Sequence, residues 1–402
     1  MLVETEEISD APPSSIDSEF DLTTDIKPST SSLLSSKMFG GRSASGRAAA
    51  LKSYGGKMAA QESLTKALEW LADVQNPNGS WCSADSNSRS YTAMTSLALL
   101  TYLAHGETPK SKKYGKTVSK AIAWLIKDPI TSDSYSHAIK TYALAEAYAM
   151  TGNYALKELV ENCVKVIVDG QQDAGGFTYN YGPASVKEDL SVGGWNYQAM
   201  KAAKASGCGA SELSNAVDLS LHYLKKMAGG SLSGDGFPYD YNKKKTGTKH
   251  TMRAVGVLCL QLYGAGSATE LQDEIDKIAS VDLEALSWGQ APEGSLYGWY
   301  YATQSMFHKG GKHWESWNNK FQNELKNNQS SEGYWDWPAS DQSSHTGPLK
   351  SELNIRVYAT TLCSLMLTVY YRYLPMTAGT QQKGESLSSH MNDANEELID
   401  IF

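Results

Sequence analysis

Gln75-Asn-Pro-Asn-Gly79-Ser-Trp81, Gln171-Gln-Asp-Ala-Gly175-Gly-Phe177 and Gln329-Ser-Ser-Glu-Gly333-Tyr-Trp335 share one pattern: a glutamine, three residues, a glycine, one residue, an aromatic ring. A degenerate copy stands at Gly234-Asp-Gly236-Phe237. The first two copies start 96 residues apart and the last two 158. Those intervals fit two and three units of roughly 48–53 residues, the period of a repeat architecture.

Each unit reads as a pair of helices around the glycine-containing loop. The first helix is amphipathic: over Ala59–Val74, Leu64, Ala67, Leu68 and Leu71 fall at i, i+3, i+4 and i+7. The second is apolar nearly all round, as in Tyr91–Ala104, the pattern of a helix buried on every side. A glycine then stops it at Gly106, Gly152, Gly207, Gly264 and Gly310, because glycine tolerates the left-handed conformation that ends a helix. Amphipathic helices are expected near 59–74, 112–126, 154–170, 211–228, 268–280 and 312–328, and apolar ones near 90–105, 134–151, 188–206, 247–263, 296–309 and 351–373. A closed two-layer ring buries both kinds, so the sequence predicts an all-α chain folded as an α6/α6 toroid. Its inner helices run parallel, and their N-termini with the long loops before them gather at one end, the natural place for a site.

The 402 residues are 41% hydrophobic and 20% charged, ordinary globular usage. The net charge of −8 is unevenly spread. Residues 1–36 carry −7, residues 37–57 carry +5, and residues 376–402 carry −4, which leaves −2 for 58–375. That near-neutral body lacks the basic face of a nucleic-acid binder. No apolar run is long enough to span a bilayer, and Met1–Asp10 lacks the pattern of a secretory leader. The default compartment on these grounds is the cytoplasm. Composition marks 1–36 as a disordered acidic arm, 37–57 as a Gly/Ser linker and 376–402 as a polar tail with a short helix near 391–402. The folded domain is expected over 58–375. The acidic arm would tether the toroid to another partner. Five cysteines at wide spacing, with no C-x-x-C, give neither a disulfide framework nor a thiolate zinc site. His137, His250 and His345 show no ligand spacing, so neither a metal nor a cofactor is expected.

The Gln-x3-Gly-x-Trp pattern before an apolar helix resembles the repeat of squalene-hopene and oxidosqualene cyclases, whose fold also serves protein prenyltransferase β-subunits. The resemblance covers about residues 58–375 and implies that Gln75, Trp81, Gln171, Phe177, Gln329 and Trp335 brace the barrel. It also implies where chemistry would sit, and those positions have changed. The Asp-x-Asp-Asp-Thr-Ala acid of the cyclases is similar to Ser88-Arg89-Ser90-Tyr91-Thr92-Ala93, with every Asp replaced. Asp-Asp-x-x-Asp is absent as well. The prenyltransferase zinc positions are similar to Tyr297-Gly298-Trp299-Tyr300 and Tyr358-Ala359-Thr360-Thr361, where Tyr297, Trp299 and Ala359 stand for Asp, Cys and His. The diphosphate-holding His has no counterpart in Val192-Gly193-Gly194-Trp195. The chain is therefore a divergent member.

Candidate ligand contacts follow from the inner helices. The chain has 10 Trp and 23 Tyr against 7 Phe. Tyr91, Trp195, Tyr297, Trp299, Tyr300 and Tyr358 would line a cavity for an apolar or cationic ligand, or simply pack the core. His250, Arg253 and Arg356, with Asn354 and Tyr300, would recognise a carboxylate or phosphate, or pair with Asp189, Asp235, Asp240 and Asp336 in neighbouring loops. Asp336 and Asp341 form a weak carboxylate pair. Three functions compete. The first is a toroid holding an isoprenoid or other apolar small molecule. The second is a carbohydrate-active lyase or hydrolase, and the third a non-catalytic scaffold.

Overall fold

A computed structural model describes residues 40–182, 188–231, 237–239, 249–292, 294–338, 349 and 351–372. Among these residues there are fourteen α-helices and no strand. A short leading helix, α1 (Ala44–Tyr54), precedes six pairs. The amphipathic members are α2 (Met58–Asp73), α4 (Gly115–Lys127), α6 (Tyr154–Asp169), α8 (Ala210–Ser231), α10 (Thr269–Lys277, continued by a π-turn over Ile278–Asp282) and α12 (Gly311–Asn327). The apolar members are α3 (Ser88–His105), α5 (Ser134–Thr151), α7 (Leu190–Ala205), α9 (Lys249–Leu262), α11 (Ser295–Lys309) and α13 (Glu352–Leu367), after which α14 (Val369–Arg372) ends the described chain.

The six apolar helices pack in the cyclic order α3–α5–α7–α9–α11–α13–α3, a closed barrel, and the amphipathic helices lie outside it, α2, α4, α6, α8 and α10 each against two of them and α12 against α11. The expected α6/α6 toroid is the observed fold. Helices buried on all sides must satisfy their own polar groups. In α3 they do so by back-bonding: Ser96 Oγ donates to the Thr92 carbonyl at 2.7 Å and Thr101 Oγ1 to that of Leu97 at 2.9 Å.

The repeated loops have one geometry. Gln75 Nε2 donates to the Gly79 carbonyl in its own loop and to the Thr117 carbonyl of α4. Gln171 does the same with Gly175 and Ala216 of α8. Gln329 reaches Gly333 and Ser63 of α2, which joins the last outer helix to the first. The aromatic residue locks the loop inward. Trp81 Nε1 donates to Leu71 O and Trp335 Nε1 to Leu325 O, while their backbone N–H groups donate to Thr95 and Thr360 hydroxyls on the inner helices. Each loop glycine has a positive φ, between 96° and 106°. A Cβ at Gly79, Gly175 or Gly333 would stand 2.1–2.4 Å from a carbonyl oxygen of the same helix that the glutamine grips.

The flexible linker expected over 37–57 is not what residues 40–57 form. Ser43 caps α1, the Ala48–Leu51 run sustains it, and Gly55 ends it with φ 77°. Gly and Ser dominate the composition of this stretch but occupy its caps. Ahead of the helix, Arg42 is buried where the C-terminal ends of the inner helices meet. Its Nη1 lies 2.8 Å from Glu146 Oε2 and 3.2 Å from the Leu103 carbonyl, and Arg372 approaches the other Glu146 oxygen at 3.3 Å. The segment therefore closes the barrel floor. The arm before residue 40, the tail after residue 372 and the short helix near 391–402 lie outside the described residues.

Two substitutions test these close approaches. Gly175→Ala meets both the positive φ and the Leu219 carbonyl and is expected to destabilise the fold by roughly 3 kcal/mol or more. Gly152→Ala has the positive φ but open space and is expected to lose only about 1 kcal/mol. Urea unfolding of both variants measures the difference. Arg42→Met leaves the buried Glu146 with one guanidinium and is expected to lower stability by about 3 kcal/mol in the same assay.

Candidate functional site

The barrel end that gathers the inner-helix N-termini is built by capping side chains. Asp133 caps α5, with Oδ1 accepting from the Ser136 backbone, and Asp189 caps α7 through Ser191. An isolated bridge between Asp133 and Asn180 holds the two loops side by side. Tyr135 and Tyr179 consequently meet at this mouth, ring centroids 5.9 Å apart. Tyr135 donates to Ser191 Oγ at 2.7 Å, Ser191 Oγ donates to Asp189 Oδ1 at 2.6 Å, and Tyr179 donates to Asp189 Oδ2 at 3.2 Å. Burial pushes the Tyr135 phenol well above its ordinary value. Burial, reinforced by the Asp189 charge, pushes Tyr179 up to about 12. Both phenols are thus neutral donors at pH 7, not bases. On the α13 side Tyr358 stacks on Trp337 at 5.3 Å and 15°.

Below the mouth the axis is filled. Tyr297 donates to the Ser191 carbonyl at 2.9 Å and lies 3.1 Å from the Tyr301 hydroxyl. Gln198 donates to the Tyr301 hydroxyl and accepts from Tyr300, whose ring stacks on Trp195 at 5.4 Å. These four aromatic residues are 0–1% exposed, so they border no water-accessible void. Deeper still, Lys201 Nζ donates to the Leu262 carbonyl at the end of α9. Burial lowers the Lys201 amine to about 7, and burial plus the Lys201 charge lowers His308 to about 3.

The candidates drawn from sequence disperse. Trp195, Tyr297 and Tyr300 converge, but as packing rather than as a cavity wall: the Tyr297 and Tyr300 hydroxyls bond to α7, the helix that carries Trp195, and Trp195 stacks on Tyr300. Trp299 turns outward instead, since it lies one position before Tyr300, a rotation of about 100° away from the axis-facing stripe. It packs on Trp288 at 6.0 Å beside a water-sized cavity of about 20 Å3. Tyr91 also faces out, stacked on Trp124 of α4. Arg253 is buried between Glu274 and Asp282, at 2.8 and 2.6 Å. Asn354 is spent on structure, accepting from Ser83 N and donating to Ser86 Oγ and Leu349 O across the ring seam. Arg356 pairs with Asp336 and Glu352 and covers the Tyr334 ring. Tyr358 stays at the mouth, stacked on Trp337. The side chain of His250, together with Asp235, Asp240, Asp341 and His345, lies outside the described residues. Among the described residues no group of His, Cys, Asp and Glu could hold a metal. None of the described helices is long and apolar enough to cross a membrane.

Sequence reasoning missed Tyr135, Tyr179, Ser191 and Trp337. Asp-Ser-Tyr-Ser over 133–136 and Asp-Leu-Ser over 189–191 were the available signals, because an Asp cap followed by Ser places the first-turn side chains at the mouth.

The interior amine gives a test. The folded pKa of Lys201 lies below its unfolded value, so the unfolded chain binds the extra proton and stability rises with pH from 7 upward. Between pH 7 and 8.5 the full chain is expected to gain roughly 1–2 kcal/mol relative to Lys201→Met, read by urea unfolding at each pH.

No protein-family model and no curated protein matches the chain. Solved structures do. The GH76A α-1,6-mannanase from Salegentibacter sp. HEL1_6 superimposes with a TM-score of 0.54 at 14% identity, over 77% of this chain and 98% of that one. An inactive variant of it in complex with α-1,6-mannotriose gives 0.54 at 11%, over 77% and 99%. A type II terpene cyclase from Scytonema gives 0.48 at 13%, over 78% and 98%. At these identities the likeness is one of fold.

Proposed function

We propose that the chain binds a saccharide at the barrel mouth. The observation that carries this reading is a contrast in exposure. The axis aromatics are closed off, whereas Tyr179 is 53% exposed and Tyr135 and Trp337 are half-buried, all beside hydrogen-bonding groups. Saccharides present apolar C–H faces that lie on aromatic rings and hydroxyls that bond to carboxylates and phenols. An isoprenoid would need accessible apolar surface inside the barrel, and Trp195, Tyr297, Tyr300 and Tyr301 offer none. The reading is one of binding rather than turnover. Asp133 and Asp189 each use Oδ1 to cap a helix and have Oδ2 engaged, by Arg89 and Tyr179, so neither is placed as a general acid or base.

Native mass spectrometry of the full chain tests it, with α-1,6-mannotriose, a chitooligosaccharide series and organic extraction in parallel. The expected result is a saccharide adduct weakened about tenfold by Tyr135→Ala or Trp337→Ala, and no co-purifying apolar mass. An extracted isoprenoid-sized molecule, with no saccharide adduct, would overturn the reading.

A further inference from the structure

We infer that the basic outer face of α4 is a docking surface for the chain's own acidic N-terminal arm. Residues 108–127 hold six lysines, Lys110, Lys112, Lys113, Lys116, Lys120 and Lys127, and no Asp or Glu. Val118, Ala121, Ile122 and Leu125 bury one side of α4. At about 100° per residue, Lys116, Lys120 and Lys127 fall within an arc of about 40° on the opposite side. Lys110, Lys112, Lys116 and Lys127 are exposed, and Lys120 is half-buried. The carboxylates that flank this strip are engaged: Glu69 pairs with Lys113, Glu107 with His105 and Asp128 with Lys140. Only the first of these draws on a lysine of the strip, which runs for roughly 20 Å along α4.

Two observations name the occupant. The first is where the arm joins the barrel. Arg47 Nη1 donates to both the Arg42 and His105 carbonyls, at 2.6 and 2.8 Å, and a Cβ at Gly106 would meet the Arg42 carbonyl. Gly106 stands four residues before Lys110, a span of at most about 14 Å. The arm therefore enters the described chain beside the start of the strip. The second is charge. Residues 1–36 carry eight acids and one base, and Asp17, Glu19, Asp21 and Asp25 stand 15–23 residues before Gly40. Fifteen residues reach up to about 50 Å, enough for every lysine of the strip. The cations nearest the junction are already spent, Arg42 on Glu146 and Arg47 on the two carbonyls. The C-terminal tail starts from the same pole but carries −4 against −7, and its first acid, Glu385, stands alone until Asp393. Docked on α4, the arm screens the strip from other polyanions.

Carbodiimide coupling of the full chain joins a carboxylate to a lysine in direct contact, and peptide mass spectrometry then reads the pairs. The expected result is that Asp17–Asp25 couple to Lys110, Lys112, Lys116, Lys120 and Lys127 at least about fivefold more than to Lys52 and Lys57, which are exposed and closer to the arm along the chain. That excess should fall at least about threefold between about 20 mM and about 0.5 M salt. It should fall as far at Lys110 and Lys120 in a Lys112→Glu, Lys116→Glu double variant, with circular dichroism unchanged because both positions are exposed. Coupling to Lys52 and Lys57 as strong as to the strip would reflect proximity alone and overturn the inference. Coupling of Glu385–Asp400 in place of the arm would assign the strip to the tail and overturn it. Links between labelled and unlabelled chains in an isotope mixture would assign it to a second copy and overturn it. A strip that couples to no carboxylate of the chain, and is left to an anion from outside, would overturn it too.

Discussion

The amide of Gln329 bridges from its own loop to the Ser63 carbonyl on the first outer helix, one of the bonds by which the last helix pair closes the ring onto the first. An inner helix such as α11, buried without a break from Ser295 to His308, has no stable surroundings unless neighbours enclose it on every side. The first and last helix pairs are therefore as dependent on each other as any two consecutive pairs. Asn354 stitches the same seam at the mouth by holding Ser83 and Ser86, and Asn318 and Gln322 hold the Tyr54–Gly55 carbonyls on the outer side. Ring closure thus uses side-chain amides where consecutive pairs are joined by the chain itself.

This dependence explains what could be read in advance. The fold was legible because three glutamine–glycine–aromatic loops carry the same glutamine bonds three times, and because burial on all sides leaves a composition that no surface helix shares. The helix order and the approximate bounds of the pairs followed. Residues 40–57 were misread because composition does not say where the glycines fall, and here they fall at helix ends. The site was much less legible. Trp299 and Tyr300 are adjacent in sequence yet face opposite layers, and a rotation of about 100° per residue is beyond what an inner helix apolar on all sides can reveal. Arg253, Arg356 and Asn354 had suitable chemistry: Arg356 pairs with Asp336, as the sequence allowed, whereas Arg253 is taken up by the next outer helix and its π-turn and Asn354 by Ser83 and Ser86 at the far end of the chain.

The barrel interior is more polar than its sequence suggests. Phenols and an amide near the top, an amine and an imidazole lower down, and an Arg–Glu–Arg group at the floor succeed one another along the axis. Burial alone would raise Glu146, and the two guanidiniums outweigh it and hold its carboxyl below the ordinary value. Such a column fixes which helix faces which, because a register error would leave charged groups buried without partners. It also leaves the mouth as the place where aromatic and polar groups are both within reach of solvent.

The floor has a consequence of its own. Arg42 Nη2 approaches the Arg372 carbonyl, and Gly41 lies directly against the Tyr371 carbonyl. The two ends of the described chain thus meet at the pole opposite the mouth. A closed ring whose ends touch has no privileged starting point. Joined there and opened in a surface loop between any inner helix and the next outer one, the same twelve helices could be written in six cyclic orders. The gene's order would then be one solution among several that the packing permits.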